Sequence, residues 1–304
     1  MAKRKSKYIT VLIIALIFIA SSVLTSLFSG DSGSLMDFFG LRDDYTPADG
    51  TMSVDFIDVG QGDSTLIISG DNVILIDGGE AGESENVINF IKNKNITEID
   101  CCIATHPHSD HIGSLSEVFD EFEIKDVIMP EVPERLIPTS KAYEKFMRSV
   151  ADNAENVYPA QSGDDYQYGD IKIEILGPAG EYDNLNDISV VSRVIYGNTS
   201  VMMTGDAETP AEKDILADNL DCSADILKVG HHGSRTSTSD DWLKAVNPQY
   251  AVISCGLNND YGHPHKQLIK RLEKTETDYY RTDLIGTVSF ESDGDRFIIK
   301  NTES

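Results

Sequence analysis

From residue 51 onward the chain alternates short apolar runs with stretches of helical spacing. Residues 52–57, 65–69 and 73–76 read as three strands joined by tight turns of Gly and Asp. Residues 83–94 place Val87, Ile88 and Ile91 at helical intervals, and 99–104 is apolar enough for a buried strand. A short helix at 114–122, a strand at 126–129 and a charged helix at 139–154 complete the first half. The second half repeats the alternation. A strand at 171–176 is followed by a hairpin of 188–196 with 200–204 around Gly197 and Asn198. A helix at 210–219 then starts on Pro210. Strands at 226–229 and 250–254 alternate with helices at 240–246 and 266–275, and the chain closes in a hairpin turning at Asp293 and Gly294. Strands that open each half and helices that close it predict an α+β fold of two sheets packed face to face with helices outside, a four-layer αββα sandwich in one domain, 51–304.

The first 50 residues follow other rules. Residues 1–7 carry Lys3, Arg4, Lys5 and Lys7, and 8–28 hold no charge. That run is long enough to span a bilayer core, and the basic flank belongs on the cytoplasmic side. Small residues at 20–22 and 25–26 leave open a cleaved signal in place of a transmembrane anchor. Both readings put the rest of the chain outside the cytoplasm, held at the membrane face or secreted. Residues 29–50, rich in Gly, Ser and Asp, read as a flexible linker.

Composition narrows the partners. The formal net charge of the 304 residues is −26, or −30 once the four N-terminal cations are set aside. This argues against a general polyanion binder, whose affinity rests on Lys and Arg, but leaves room for an enzyme whose metal ions make one cleft positive. Cys101, Cys102, Cys222 and Cys255 read as small buried hydrophobes. No protein partner is predicted.

The chain has 7 histidines, and all fall in three short windows: His106, His108 and His111; His231 and His232; His263 and His265. In THPHSDHIG, His106 and His108 can reach one ion from an extended turn, while Asp110 and His111 can reach a second. Imidazole with carboxylate suits Zn²⁺, and Mn²⁺ as the carboxylate share rises. Asp206 in MMTGDAE, at the end of a strand, is the candidate shared ligand of a two-metal site. In KVGHHGS one of His231 and His232 is expected to complete an ion's shell and the other to hold substrate or a neighbouring ligand. Spacing alone does not choose, with a slight preference for His231. Ser234 and the hydroxyls after it can donate to phosphate oxygens or cap the next helix. His263 is a candidate ligand or proton donor to the leaving group, and His265 reads as surface.

With these residues in view, the chain resembles the metallo-β-lactamase-fold hydrolases, and is similar above all to the hydrolase domain of the ComEC DNA-uptake proteins. DVGQGDS, LIDGG, THPHSDHIG, NDISVV, MTGD, KVGHHGS and YGHPH carry the likeness through most of 52–265. The resemblance implies the four-layer sandwich with a dinuclear site at one edge. It implies metal positions at His106, His108, Asp110, His111 and Asp206 with His231 or His232 contributing, a structural aspartate at Asp77, and a pocket-lining loop with Asn186 and Ser189. Many members have a further histidine ahead of the bridging aspartate, but EYDNLNDIS has none. A single apolar run also leaves no multi-spanning channel, so DNA transport by this chain alone is implausible.

The expectation is an extracytoplasmic hydrolase with two divalent ions, Zn²⁺ or Mn²⁺, in which metal-activated hydroxide, oriented by Asp110, attacks a phosphodiester. DNA is the first substrate to test. Esters of cell-wall phosphocholine or teichoic acid, and lactones, are the competing substrates. A membrane-tethered binding module without turnover is the competing class.

Overall fold

The computed structural model describes residues 50–300. The basic flank, the apolar segment 8–28 and nearly all of the linker lie outside the described residues. Among the described residues no helix is long and apolar enough to cross a membrane.

The first sheet holds β1 (Met52–Phe56), β2 (Thr65–Ser69), β3 (Asn72–Ile76), β4 (Glu98–Ile103), β5 (Glu123–Met129) and β6 (Ala154–Pro159). The C-terminal hairpin of β14 (Val288–Ser292) and β15 (Phe297–Ile299) extends it on the β1 side, giving the order β15-β14-β1-β2-β3-β4-β5-β6. The second sheet is built from β7 (Asp165–Tyr168), β8 (Ile171–Gly177), β9 (Val191–Tyr196), β10 (Thr199–Met203), β11 (Ile226–Lys228), β12 (Tyr250–Ile253) and β13 (Asp278–Arg281), in the order β13-β12-β11-β10-β9-β8-β7. Pairing from β3 to β6 and from β10 to β13 is parallel.

Burial on both faces explains why the inner strands β2 and β3 are apolar at successive positions. Along β2, Ile67 points into the core between the sheets, while Leu66 and Ile68 point to the helical side. β3 divides in the same way, with Ile74 and Ile76 between the sheets and Val73 and Leu75 outward. Cys101 and Cys102 fall on opposite faces of β4, both fully buried and unpaired. The outer face of the first sheet is covered by α1 (Ser84–Lys92), α3 (Leu115–Glu121) and α4 (Lys141–Asn153). That of the second is covered by α5 (Thr209–Ala217), α6 (Asp240–Val246) and α7 (Lys266–Lys274). Two four-residue helices, α2 (Ser109–Ile112) and α8 (Thr282–Ile285), lie in connections.

β6, β7 and β13 were not expected from the sequence. All three are short edge strands whose core-facing residues, Tyr158, Tyr166, Tyr168 and Tyr280, are only half-buried among polar neighbours, so the apolar signal is weak. Residues 188–190, expected to start a strand, instead lead into β9 from a loop tied to the histidine segment, where Val190 N donates to Thr105 O (2.9 Å).

Candidate metal centre

The carboxyl ends of the parallel strands converge at one edge of the sandwich. β3 leads into Asp77, β4 into the histidine loop, β10 into Asp206 and β11 into the His231–His232 turn. Asp77 sits in the left-handed region (φ 59°) and is buried. Its carboxylate accepts from Thr105 N (2.8 Å) and Thr105 Oγ1 (2.7 Å) and lies 2.8 Å from His111 Nδ1. One side chain thus ties both ends of the histidine loop and fixes which nitrogen of His111 is free. Gly205 (φ 49°) packs against Thr105, where a Cβ would collide with the threonine side chain, so Asp206 reaches the loop directly.

The two oxygens of Asp206 face two different groups of donors. Oδ1 stands 3.2 Å from His111 Nε2 and 3.5 Å from His232 Nε2. Those two nitrogens are 3.3 Å apart, and Asp110 Oδ2 lies 3.2 Å from His232 Nε2. Oδ2 stands 3.7 Å from His106 Nε2, which is 3.0 Å from His108 Nδ1. His231 Nε2 is 3.8 Å from the same oxygen. Donors around a tetrahedral ion with bonds of about 2.0–2.1 Å stand roughly 3.3 Å apart, so both groups have the spacing of a metal shell. Asp206 Oδ1 is buried without a hydrogen bond, a demand that a cation meets.

His231 and His232 occupy consecutive left-handed positions (φ 49° and 51°) and send their rings in different directions. His232 is buried, with Nδ1 3.0 Å from Ser254 O. His231 is partly exposed, and its Nδ1 lies 3.0 Å from Glu208 Oε1, which also accepts from Thr236 Oγ1 (2.6 Å).

Two residues to which the sequence reading gave no role, Asp63 and Lys228, are built into the floor. Asp63 lies within 4.8 Å of the donors of His111, Asp206 and His232, close enough to share an ion with them. Yet it approaches both imidazoles from the far side. Its Oδ1 is 3.2 Å from His232 Nδ1 and its Oδ2 3.9 Å from His111 Nδ1, the ring edges turned away from Asp206. Lys228, also buried, holds Asp63 Oδ2 at 2.5 Å. Asp63 therefore orients histidines, as Asp77 does. Gly62 (φ 148°) puts it there, since a Cβ at that position would run into the carbonyl of Asp110.

The electrostatics are those of a site short of positive charge. Burial pulls the His111 and His232 pKa values down, but the carboxylates overturn it. Asp206 and Asp77 hold His111 well above the ordinary range, and Asp206 and Asp63 bring His232 up to about 10. Against a burial penalty, the imidazoles keep Asp110 and Asp206 below the usual carboxylate range, and Lys228 and His232 bring Asp63 to about 2. Without metal, protons on His111 and His232 balance the acids, and a divalent ion bound there would replace them. His106 goes the other way, pushed well down by burial and by the neighbouring His111, which leaves it neutral as a ligand must be.

The family model described as "Metallo-beta-lactamase superfamily" matches residues 57–257. The chain belongs to this superfamily. Its relatives bear out the ComEC-like reading of the motifs. It is 30% identical over 256 residues to ComE operon protein 3 of Bacillus subtilis, covering 78% of this chain and 32% of that protein. It is 32% identical over 261 residues to Recombination protein 2 of Haemophilus influenzae, covering 84% and 30%. The chain thus spans about a third of the length of these relatives. The metallo-β-lactamase fold protein YhfI of Bacillus subtilis superposes with a TM-score of 0.54 at 14% identity, over 80% of this chain and 99% of that one, a likeness of fold alone.

The remaining expected site residues lie around this member's cleft in different roles. Ser189 is fully buried and accepts from Asp206 N (3.1 Å), holding the backbone of Asp206 where a substrate contact was expected. Asn186 is on the adjoining loop, near Glu208, with its Oδ1 buried and unpartnered. The Ser234 hydroxyl, expected to donate to phosphate or to cap the next helix, pairs instead with Thr236 Oγ1 (2.8 Å) and is buried, bracing the Glu208 network. Ser239 caps α6, accepting from Trp242 N (3.2 Å). His263 packs its ring 5.5 Å from His231 and 6.3 Å from His232, and its Nδ1 is buried without a partner. Burial and the two histidines lower its pKa to about 4, so it is neutral at pH 7. His265 precedes α7, accepting from Arg235 N (3.0 Å) away from the donor groups.

Proposed function

We propose that the domain is a dinuclear metal-dependent hydrolase of phosphodiesters, with DNA the first substrate to test, acting outside the cytoplasm behind the N-terminal segment. The observation that carries this reading is the division of Asp206, one oxygen toward each group of donors. Asp110, His111, His232 and Asp206 would hold one ion. His106, His108 and Asp206 would hold the other, with His231 completing this second group, which the lack of a histidine in 181–189 otherwise leaves one donor short. Divalent ions, Zn²⁺ or Mn²⁺, supply Lewis acidity that activates water and offsets charge on phosphoryl oxygens.

The protein's own groups do the rest. Asp110, kept ionised and partly exposed, faces the cleft as an acceptor that orients the attacking water. Glu208 fixes the His231 ring through Nδ1 and leaves Nε2 toward the cleft. His263, neutral while the cleft is empty, would take a proton from water when an anionic phosphate lies against its ring and pass that proton to the leaving oxygen. The name of one relative, Recombination protein 2, favours a nucleic-acid substrate.

The test is metal analysis of the purified full chain, with hydrolysis of bis-p-nitrophenyl phosphate, single-stranded and duplex DNA, phosphocholine esters and lactones under added Mn²⁺ or Zn²⁺. Two ions per chain with phosphodiester turnover is the expected result. A metal-free, inactive protein sinks the enzyme reading. Bound metal without turnover of any substrate makes it a binding module, and fastest turnover of a phosphocholine ester or lactone moves the substrate class.

A further inference from the structure

Within the loop 256–263, Tyr261 is 64% exposed, yet its position is fixed from below. The Asn259 side chain accepts from Tyr261 N (3.2 Å) and His263 N (2.9 Å) and donates to His263 O (2.7 Å) and Gly256 O (2.9 Å), so one amide clamps the whole turn. The Tyr261 ring lies flat on His263, with centroids 5.6 Å apart and planes 20° from parallel. His263 in turn stacks on His232, at 6.3 Å and 29°. Three rings thus form a column from a proposed metal ligand at the floor of the cleft to an open aromatic face at its mouth. Leu257, 67% exposed in the same loop, adds apolar surface. The exposed Arg235, bonded through its backbone to His265, adds a cation to the lip of an otherwise acidic domain.

We propose that Tyr261 is a stacking platform for an unpaired nucleobase, which makes single-stranded nucleic acid the preferred substrate of this cleft. The inference rests on the phosphodiester reading and deepens it. A flat π-face next to a phosphate-binding centre recognises any base but not its sequence, because every base offers a π-face. At about 3.4 Å per nucleotide along a strand, the column keeps the platform within a few nucleotides of His232. A base inside a duplex has both faces covered and cannot use it. A free strand, or a frayed end, can.

The experiment compares the full-length chain with Tyr261→Ala and Tyr261→Trp variants. Fluorescence anisotropy would read binding of a labelled single-stranded oligonucleotide and of an abasic strand of the same length, and hydrolysis of both would be followed alongside. Tyr261→Ala should weaken binding of the base-bearing strand about tenfold, leave the abasic strand unchanged, and be rescued by Trp. Equal affinity of Tyr261→Ala and the parent for the base-bearing strand overturns the platform, and so does an equal loss on the abasic strand. A wild-type chain that cleaves both strands at equal rates refutes the platform alone. One that cleaves neither refutes the phosphodiester reading on which it stands.

Discussion

Lys228→Met tests whether the floor of the cleft is an integral part of the site. The substitution keeps the bulk of the side chain and removes the ammonium 2.5 Å from Asp63 Oδ2, a pair with side-chain exposures of 1% and 6%. Removing one partner of a buried pair costs about 3–5 kcal/mol, because the other charge is left without compensation. For a domain of this size each kcal/mol lowers the melting temperature by roughly 2–4 °C, so a drop of about 6–20 °C is expected. The pH dependence has a definite sign. In the parent, Lys228 and His232 overcome burial and hold the Asp63 pKa at about 2, below the ordinary 3.8. The stabilisation from Asp63 is therefore present above 3.8 and lost as pH falls through about 2. In the variant that carboxyl climbs, so the deficit should be greatest near neutral pH and shrink as acid protonates Asp63. Thermal melts of metal-free protein across this range, with Asp63→Asn and the double variant completing the cycle, read it directly. The double variant should recover much of the loss. A melting temperature within about 2 °C of the parent, or a deficit that does not change with pH, refutes the reasoning.

Other outcomes follow from the same geometry. His232→Ala should lose metal affinity by an order of magnitude or more, while His265→Ala should retain it, as isothermal titration with Mn²⁺ would show; equal retention contradicts the placement of His232. In metal-free protein the raised His232 pKa means stabilisation that is full below 6.5 and lost as pH rises through about 10. Metal binding must expel that proton, so apparent affinity should rise with pH in this window, and calorimetry in buffers of different ionisation enthalpy should show proton release. Ser189→Ala removes the hydrogen bond to Asp206 N, worth about 1 kcal/mol, and should weaken metal binding without altering the substrate's KM; a KM change alone would make Ser189 a substrate contact.

The sequence revealed the parts of the molecule in which both faces of a strand are buried or in which metal-ligand residues crowd a short loop. β2, β3 and β10 are built on the apolar runs 66–68, 73–76 and 201–203 because each lies between two layers, and HPHSDH concentrates four ligand-type residues at the end of β4. What stayed hidden depends on chain segments that only the fold brings together. Asp63 reaches His232 and Lys228 across long stretches of sequence, and its one local signal was the pair of glycines in GQGD. Lys228 ends a buried strand, where a charge with no visible partner was the clue. That His231 and His232 turn toward different donor groups rests on two consecutive left-handed residues, which spacing does not report. The roles of Ser189 and Ser234 depended on which hydroxyls find partners inside, and a motif does not show burial.

The central claim is that Asp206 joins two ion sites. It is tested most directly by counting metal ions bound per chain and recording the electron paramagnetic resonance of Mn²⁺-loaded protein, for the parent and for Asp206→Asn. Two ions per parent chain with an exchange-coupled signal, reduced in Asp206→Asn to one ion or none and to uncoupled Mn²⁺, is the predicted result. A parent that binds a single uncoupled ion, or an Asp206→Asn chain that still carries a coupled pair, would contradict it.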